Sequence, residues 1–384
     1  MIRILAFVLA LLFAVFVAYG GDDEDAEVIS APTALPVVAP SATSLPATAT
    51  PMPPSPTAIP TSQSEPTPVA VPTVVPTVVI ERTVEILAPT GVPAETPTPI
   101  AEVPDIPIGL PGVTSYIYWL SDVDLDVIAA EHPSVTVIDY AFDGSDETAF
   151  TTEEIDQLRA AMSEPAKVIA YMSIGEAEEY HYYWQDDWSP GSPDWIVQEN
   201  PDWEGNFKVE FWDDDWQANI FGNASSYLDR VISVGFDGVY LDIIDAYEFF
   251  EERGISDVRQ RMVDFVTDLS AYAKSKNPDS LIVPQNAPEL GEDPAYLKVV
   301  DGIGMESVYY GYEFKNIATD PAITLELEEA LFRFTAAGKF VLTTDYAISS
   351  QRIQDAYKRS RANGFLPPVT GVDLDSLPVR EPFR

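Results

Sequence analysis

The second part of this chain reads as a (β/α)₈ TIM barrel, on three observations. Apolar strand-like runs alternate with helix-period segments from Val113 onward, and there are eight such runs. Together they fill roughly 260 residues, the usual size of a barrel. An open doubly wound sheet would place a Gly-rich phosphate turn after its first strand, and none follows there.

Taken in order, the chain begins with a basic Arg3 followed by an apolar run that ends near Tyr19, with the small residues Ala18 and Gly20 behind it. Residues 1–20 are therefore expected to be an export signal, because the run is short for a membrane crossing of about 20 apolar residues; a retained anchor is the alternative. Residues 21–108 are dominated by Pro, Thr, Ala, Val and Ser. Proline every few residues forbids helix and sheet ladders, so this stretch is expected to be a disordered, extended linker, with glycosylation possible on its hydroxyls. The barrel domain is expected at 109–384.

Within it, strands are expected at 114–120, 134–141, 167–174, 238–244, 281–285, 302–308, 339–344 and 365–369. Helices are expected at 152–163, 224–234, 257–275, 325–337 and 350–362. The first of these has Thr151 or Thr152 as its cap and Glu153 or Glu154 in its first turn. Between the third strand and the next helix lies a long loop, 175–218, which holds Trp184, Trp188, Trp195, Trp203, Trp212 and Trp216, six of the seven tryptophans. A loop of that length and composition suggests function, and indole faces suit sugar rings; about half of these tryptophans are expected to form the loop's own core.

Composition excludes several classes. The net charge of -41 and the scarcity of Lys and Arg argue against nucleic acid and anionic membrane surfaces as partners. The absence of cysteine excludes disulfides, thiolate chemistry and a lipoprotein anchor. His132 and His181 are the only histidines and lack metal-ligand spacing, so no zinc site and no cofactor is expected. The chain is expected to act as a monomer, secreted or tethered at the cell surface.

The chemistry is expected at strand ends. In GFDGVYLDIIDAYE (235–248), strand alternation puts Tyr240 and Asp242 on one face and Val239, Leu241 and Ile243 on the other, with Asp245 and Glu248 beyond. The alternative for those acids is the first turn of a helix, where they suit its dipole. In the sixth strand, GIGMES, the same alternation turns Glu306 inward with Gly302 and Gly304. Two carboxylates thus converge from strands four and six, the minimum for glycoside hydrolysis. Other strand-end candidates for substrate binding are Tyr116, Trp119, Asp139, Tyr140, Glu176, Glu178, Gln285, Asn286, Tyr309, Asp345 and Tyr346, with Trp212 from the long loop and Asp245 beside Asp242. A non-catalytic carbohydrate-binding barrel displayed on a stalk is the competing expectation.

Several separated motifs then recur in a familiar order: YMSIGEAEEYHYYW (171–184), FWDDDW (211–216), GFDGVYLDIIDAYE, VPQNAPEL (283–290), DGIGMESVYY (301–310) and VLTTDYA (341–347). Over about 113–377 the chain resembles glycoside hydrolase family 114 and its bacterial and archaeal relatives, described as endo-α-1,4-polygalactosaminidases or related polysaccharide hydrolases. The resemblance implies a TIM-barrel hydrolase acting on galactosamine-containing polymers, with Asp242 and Glu306 as the catalytic pair and Glu178 binding substrate. If the reaction retains configuration, Asp242 would be the nucleophile and Glu306 the acid/base. Many relatives carry Asn after the strand-four Asp; here Ile243 stands in that place.

Overall fold

The computed structural model describes residues 109–382 apart from residue 313; the export signal expected at 1–20 and the linker expected at 21–108 lie outside the described residues. The elements in chain order are β1 (Tyr116–Trp119), α1 (Leu125–Ala130), β2 (Val135–Ile138), α2 (Thr152–Ala161), β3 (Lys167–Ser173), β4 (Glu176–Glu178), β5 (Ile196–Glu199), β6 (Asn206–Val209), α3 (Asp214–Ile220) and α4 (Tyr227–Val234). They continue with β7 (Gly238–Asp242), α5 (Ala246–Glu252), α6 (Val258–Lys276), β8 (Leu281–Pro284), α7 (Tyr296–Val299), β9 (Gly302–Glu306), α8 (Pro321–Ala336), β10 (Phe340–Thr344) and α9 (Ser350–Ala362).

Strands β1, β2, β3, β7 and β8 are successive parallel neighbours, and β9 pairs with β10 in parallel; a single bridge from Gln285 to Gly304 joins the two groups. The eighth expected strand, 365–369, is reduced to two bridges, Leu342 with Leu366 and Asp345 with Val369. The reason is Pro367 and Pro368, which have no N–H to give to a ladder. The Leu374 carbonyl, beyond that segment, accepts the Leu120 amide at 2.8 Å and so ties the end of the circuit back to β1.

Period-two alternation divides the core into two layers. Tyr116, Tyr118, Val137, Tyr171, Tyr240 and Leu342 pack together inside the barrel, whereas Ile117, Trp119, Ile138, Val239 and Leu241 pack outward under the helices. The interior is unusually aromatic, and Gly304 is what admits it: a Cβ there would lie 1.8 Å from the Tyr240 hydroxyl.

Helix α2 starts as expected, with Thr151 and Glu154 forming a reciprocal capping box, and α9 spans 350–362 as expected. Helix α8 begins earlier than expected because Asp320 caps it and Pro321 occupies its first turn. The long loop is not irregular. It contains a three-stranded antiparallel sheet in the order β4-β6-β5, followed by α3, which Asp213 caps.

Candidate active site

The two acids at the mouth are each the last residue of a parallel strand, where the alternation turns them inward. Asp242 ends β7 and Glu306 ends β9, with β8 between them. Both are only half-buried, so the pair keeps access to solvent. The residue that follows β7 and β9 is left-handed, Ile243 with φ 57° and Ser307 with φ 57°, and so is Asn286, the second residue after β8, with φ 61°. Asn tolerates this region; β-branched Ile is strained there. The turn at 243 lets the Ile243 amide donate to Asp242 Oδ1 at 2.8 Å, which fixes the carboxylate from behind.

The rest of the cage is neutral. Tyr171 of β3 donates its hydroxyl to Asp242 Oδ2 at 2.7 Å. Tyr346 donates to Glu306 Oε1, and the Asn286 amide nitrogen lies 3.3 Å from Glu306 Oε2. Asn286 is itself held because its Oδ1 accepts the Glu306 backbone amide at 3.3 Å. Gln285 accepts the Tyr118 hydroxyl at 3.0 Å. No cation answers Asp242: burial first, and then the nearby Glu306 carboxylate, push its pKa up to about 8. Asp242 therefore holds its proton more firmly than an ordinary aspartate, beside a Glu306 carboxyl that receives hydrogen bonds.

Of the expected substrate-binding residues, Asn286, Gln285 and Tyr346 join this cage, and Tyr116 lies deeper inside the barrel against Tyr118. Asp139 extends the inward face of β2 and is buried, which raises its pKa to about 6 against the pull of His181. Asp245 sits at the start of α5, with Glu248 in that helix's first turn, so the strand-end and helix-start readings of this stretch describe the same structure. Burial raises Asp245 to about 6, with Glu176 adding to the effect and Lys208 opposing it.

Other expected residues are occupied elsewhere. Trp119 faces the helix layer, because the inward positions of β1 are Tyr116 and Tyr118; its Nε1 donates to the Ser121 carbonyl at 2.6 Å. Tyr309 packs under α9, with Asn363 donating to its hydroxyl and Arg359 over its ring. Asp345 accepts the amides of Tyr309 and Tyr310 at 2.7 and 2.9 Å and so braces the loop after β9. Tyr140 packs among Tyr182, Tyr227 and His181. Glu176 is fully buried and taken by Asn200 and Lys208. Glu178 is buried against His181, with Nε2 2.7 Å from Oε2.

The tryptophans of the insertion pack mostly on one another. Trp184, Trp188, Trp195 and Trp216 form a chain of ring contacts, and Trp216 donates to the Ile174 carbonyl at 2.9 Å. Trp212 is wedged against Phe211 and Phe250 under Arg261. Trp203 alone of the six is exposed. Sequence reasoning missed Tyr118 and Tyr171 as members of the cage, although the alternation that selects Asp242 selects them too. Among the described residues no cluster of His, Asp and Glu side chains is arranged to hold a metal ion.

Comparison with known proteins adds a family to this geometry. A model of glycoside-hydrolase family GH114 matches residues 111–381. An uncharacterized protein of Deinococcus radiodurans is 38% identical over 296 residues, covering 76% of this chain and 92% of that protein. One of Thermotoga maritima is 34% identical over 273 residues, covering 68% and 81%. Among solved structures, the glycoside hydrolase domain of PelA from Pseudomonas aeruginosa superposes with a TM-score of 0.52 at 17% identity, over 70% of this chain and 99% of that one, a likeness of fold.

Proposed function

The chain belongs to glycoside-hydrolase family GH114, and from that premise we propose that it cuts an extracellular, galactosamine-containing polysaccharide internally, with Asp242 and Glu306 as the reacting carboxylates. The observation that carries this reading is the pair itself: two half-buried acids at the ends of β7 and β9, with Glu306 near enough to add to the rise of the Asp242 pKa, and both caged only by neutral donors. Glycoside hydrolysis needs one carboxyl that holds a proton and one that does not, and mutual repulsion in a partly dry site creates that difference.

The resting proton on Asp242 gives an amino-sugar substrate a specific part to play. For Asp242 to attack as a nucleophile it must first ionise. A sugar ammonium bound within about 4–6 Å lowers a carboxylate pKa by 1–3 units. A cationic substrate thus ionises the nucleophile as it binds and leaves the proton available to Glu306, the acid/base. A neutral sugar polymer does not. Tyr171 and the Ile243 amide then stabilise the anion that forms.

The test is product profiling on partly deacetylated galactosamine polymer beside neutral polysaccharides. Oligosaccharides of mixed length from the wild type, and none from Asp242→Asn or Glu306→Gln, support the reading. A wild-type protein that binds such polymers and never cuts any of them would leave the carbohydrate-binding barrel standing. Azide rescue of each variant separates the roles in a retaining reaction, since the variant lacking the nucleophile gives a glycosyl azide of inverted anomeric configuration and the variant lacking the acid/base gives one of retained configuration.

A further inference from the structure

Glu306 ends a strand, but the group that holds its carboxyl stands on none. Strand β10 stops at Thr344, the register partner of Glu306, and two residues later Tyr346 donates its hydroxyl to Glu306 Oε1. The other oxygen, Oε2, has the Asn286 amide nitrogen at 3.3 Å. The aim of the Glu306 carboxyl therefore depends on where irregular backbone puts one phenol.

That backbone is fixed by a single side chain. Asp345, fully buried, accepts the amides of Tyr309 and Tyr310 on Oδ1 at 2.7 and 2.9 Å, which ties the chain leaving β9 to the end of β10. The Tyr346 amide then donates to the Tyr310 carbonyl at 3.0 Å, and the Asn316 amide donates to the Tyr346 carbonyl at 2.6 Å. The Asp345 backbone donates to the Pro368 carbonyl at 3.2 Å and accepts the Thr370 amide at 3.1 Å, so the clamp is anchored on the segment that closes the barrel. Glu306, the turn at 307–310 and Tyr346 thus form a closed circuit, with Asp345 across it.

Two details define what the clamp needs. Both amides go to Asp345 Oδ1, whereas Oδ2 has no hydrogen-bond partner among the described residues. Burial raises the Asp345 pKa to about 7 against the pull of those amides, and a neutral carboxyl still accepts them on its carbonyl oxygen. An acceptor is required there, and a charge is not. On the other side of the ring, Gly311 has φ 112°, and a Cβ on it would lie 2.9 Å from Tyr346 Cβ and 3.0 Å from its Cδ2. The Tyr346 ring has one seat.

We propose that Asp345 is a positioning residue for hydrolysis: by pinning Tyr309 and Tyr310 to the end of β10 it sets the Tyr346 hydroxyl on Glu306 Oε1 and so aims the acid/base carboxyl. This rests on the assignment of Glu306 to the reaction, and Asp345, being fully buried, acts through Tyr346 rather than on substrate.

Kinetics of the full chain on the polymer it cuts provide the first test. Asp345→Ala removes the acceptor and should lower kcat about tenfold or more with KM within about twofold, since misplacing a reacting group by about 1 Å costs up to about 100-fold. Asp345→Asn keeps an acceptor oxygen and should return most of that turnover. Tyr346→Phe should lower kcat to a similar extent, and adding Asp345→Ala to it should cost little more, because only independent losses multiply. A rise in KM at unchanged kcat for Tyr346→Phe, losses that multiply in the double variant, or no recovery in Asp345→Asn overturns the proposal. The second test needs no substrate. In a crystal structure of Asp345→Ala the Tyr346 hydroxyl should have left Glu306, and a hydroxyl still on Oε1 overturns the proposal. Should thermal melts show Asp345→Ala unfolded, Asp345→Asn and Gly311→Ala carry the same comparison: the first keeps the hydroxyl on Glu306 and the turnover, the second loses both, and the reverse result overturns the proposal. If the wild type cuts no polysaccharide, the functional reading fails by itself, and the position of the Tyr346 hydroxyl in these variants still decides the clamp.

Discussion

The insertion after β3 buries its carboxylates and the rim made by β7, β8 and β9 half-buries its own, and the two treat charge in opposite ways. In the insertion each buried acid has a cation: Glu176 has Lys208 at 2.9 Å, and Glu178 has His181 at 2.7 Å. On the rim Asp242 and Glu306 have only phenols, an amide and each other. A buried ion pair braces a structure because removing one partner strands the other's charge. A carboxylate pair without a cation must instead share protons, which stabilises nothing and suits acid/base work. Burial alone therefore does not mark the site; what separates the rim from the insertion is the absence of a cation.

The largest effects should separate along that line. Asp242→Asn or Glu306→Gln is expected to lower kcat by about 10²–10⁴-fold while the protein remains folded. Lys208→Met is expected to do the reverse. It strands the buried Glu176 carboxylate and lowers stability by about 2–3 kcal/mol, seen as a fall in urea midpoint, while the folded fraction keeps its turnover. If Lys208→Met abolished turnover without moving the midpoint, the division between bracing and reacting acids would collapse.

Dependence on pH sharpens the same contrast. Asp139 and Asp245 at about 6, Glu248 and Asp345 at about 7 and Asp242 at about 8 are all raised, in each case chiefly by burial. Each folded value lies above the unfolded value of about 4, so between the two the folded chain holds protons that the unfolded chain has released. Stability is then lost as pH rises from about 4 to about 8. His181, also raised, acts in the same direction: its contribution is present below about 6.5 and is lost as pH climbs through its folded value. Thermal midpoints should be higher at pH 5 than at pH 8, and Asp242→Asn should flatten the upper part of that decline. A midpoint that rises between pH 5 and pH 8 would contradict the cationless rim.

How far the sequence disclosed this follows from which signals are local. The alternation of GVYLD and GIGME is a property of five residues at a time, and it places Asp242 and Glu306 inward without any knowledge of the partners. Seven of the eight expected strands formed for the same reason. The insertion was opaque because β4, β5 and β6 are three or four residues long and pair across a span that no short window contains. Its tryptophans signalled a packed object correctly, but whether an indole faces sugar or Phe250 is decided by packing alone. Tyr171 was overlooked because its role depends on β3 lying beside β7, a pairing across 71 residues of sequence.

The smallest expected effect tests the rim's backbone rather than its charges. Ile243 occupies the left-handed region immediately after Asp242, where a β-branched side chain costs about 1–2 kcal/mol relative to ordinary conformations. Asn enters that region far more readily, so Ile243→Asn should stabilise the protein by about 1 kcal/mol, less whatever the half-buried Ile side chain gains beside Gly175. The strained turn also aims the Ile243 amide at Asp242, and Asn supplies the same amide from the same geometry, so turnover on polymer should stay within a few-fold of wild type. Paired urea melts and kcat/KM values read both. Should Ile243→Asn lower stability, apolar packing beside Gly175 outweighs the strain, and the left-handed turn is held by its neighbours rather than tolerated by its own residue. Should stability rise while kcat/KM falls sharply, the strain itself fixes the Asp242 carboxylate, and the rim uses backbone geometry for a task that the insertion gives to Lys208 and His181.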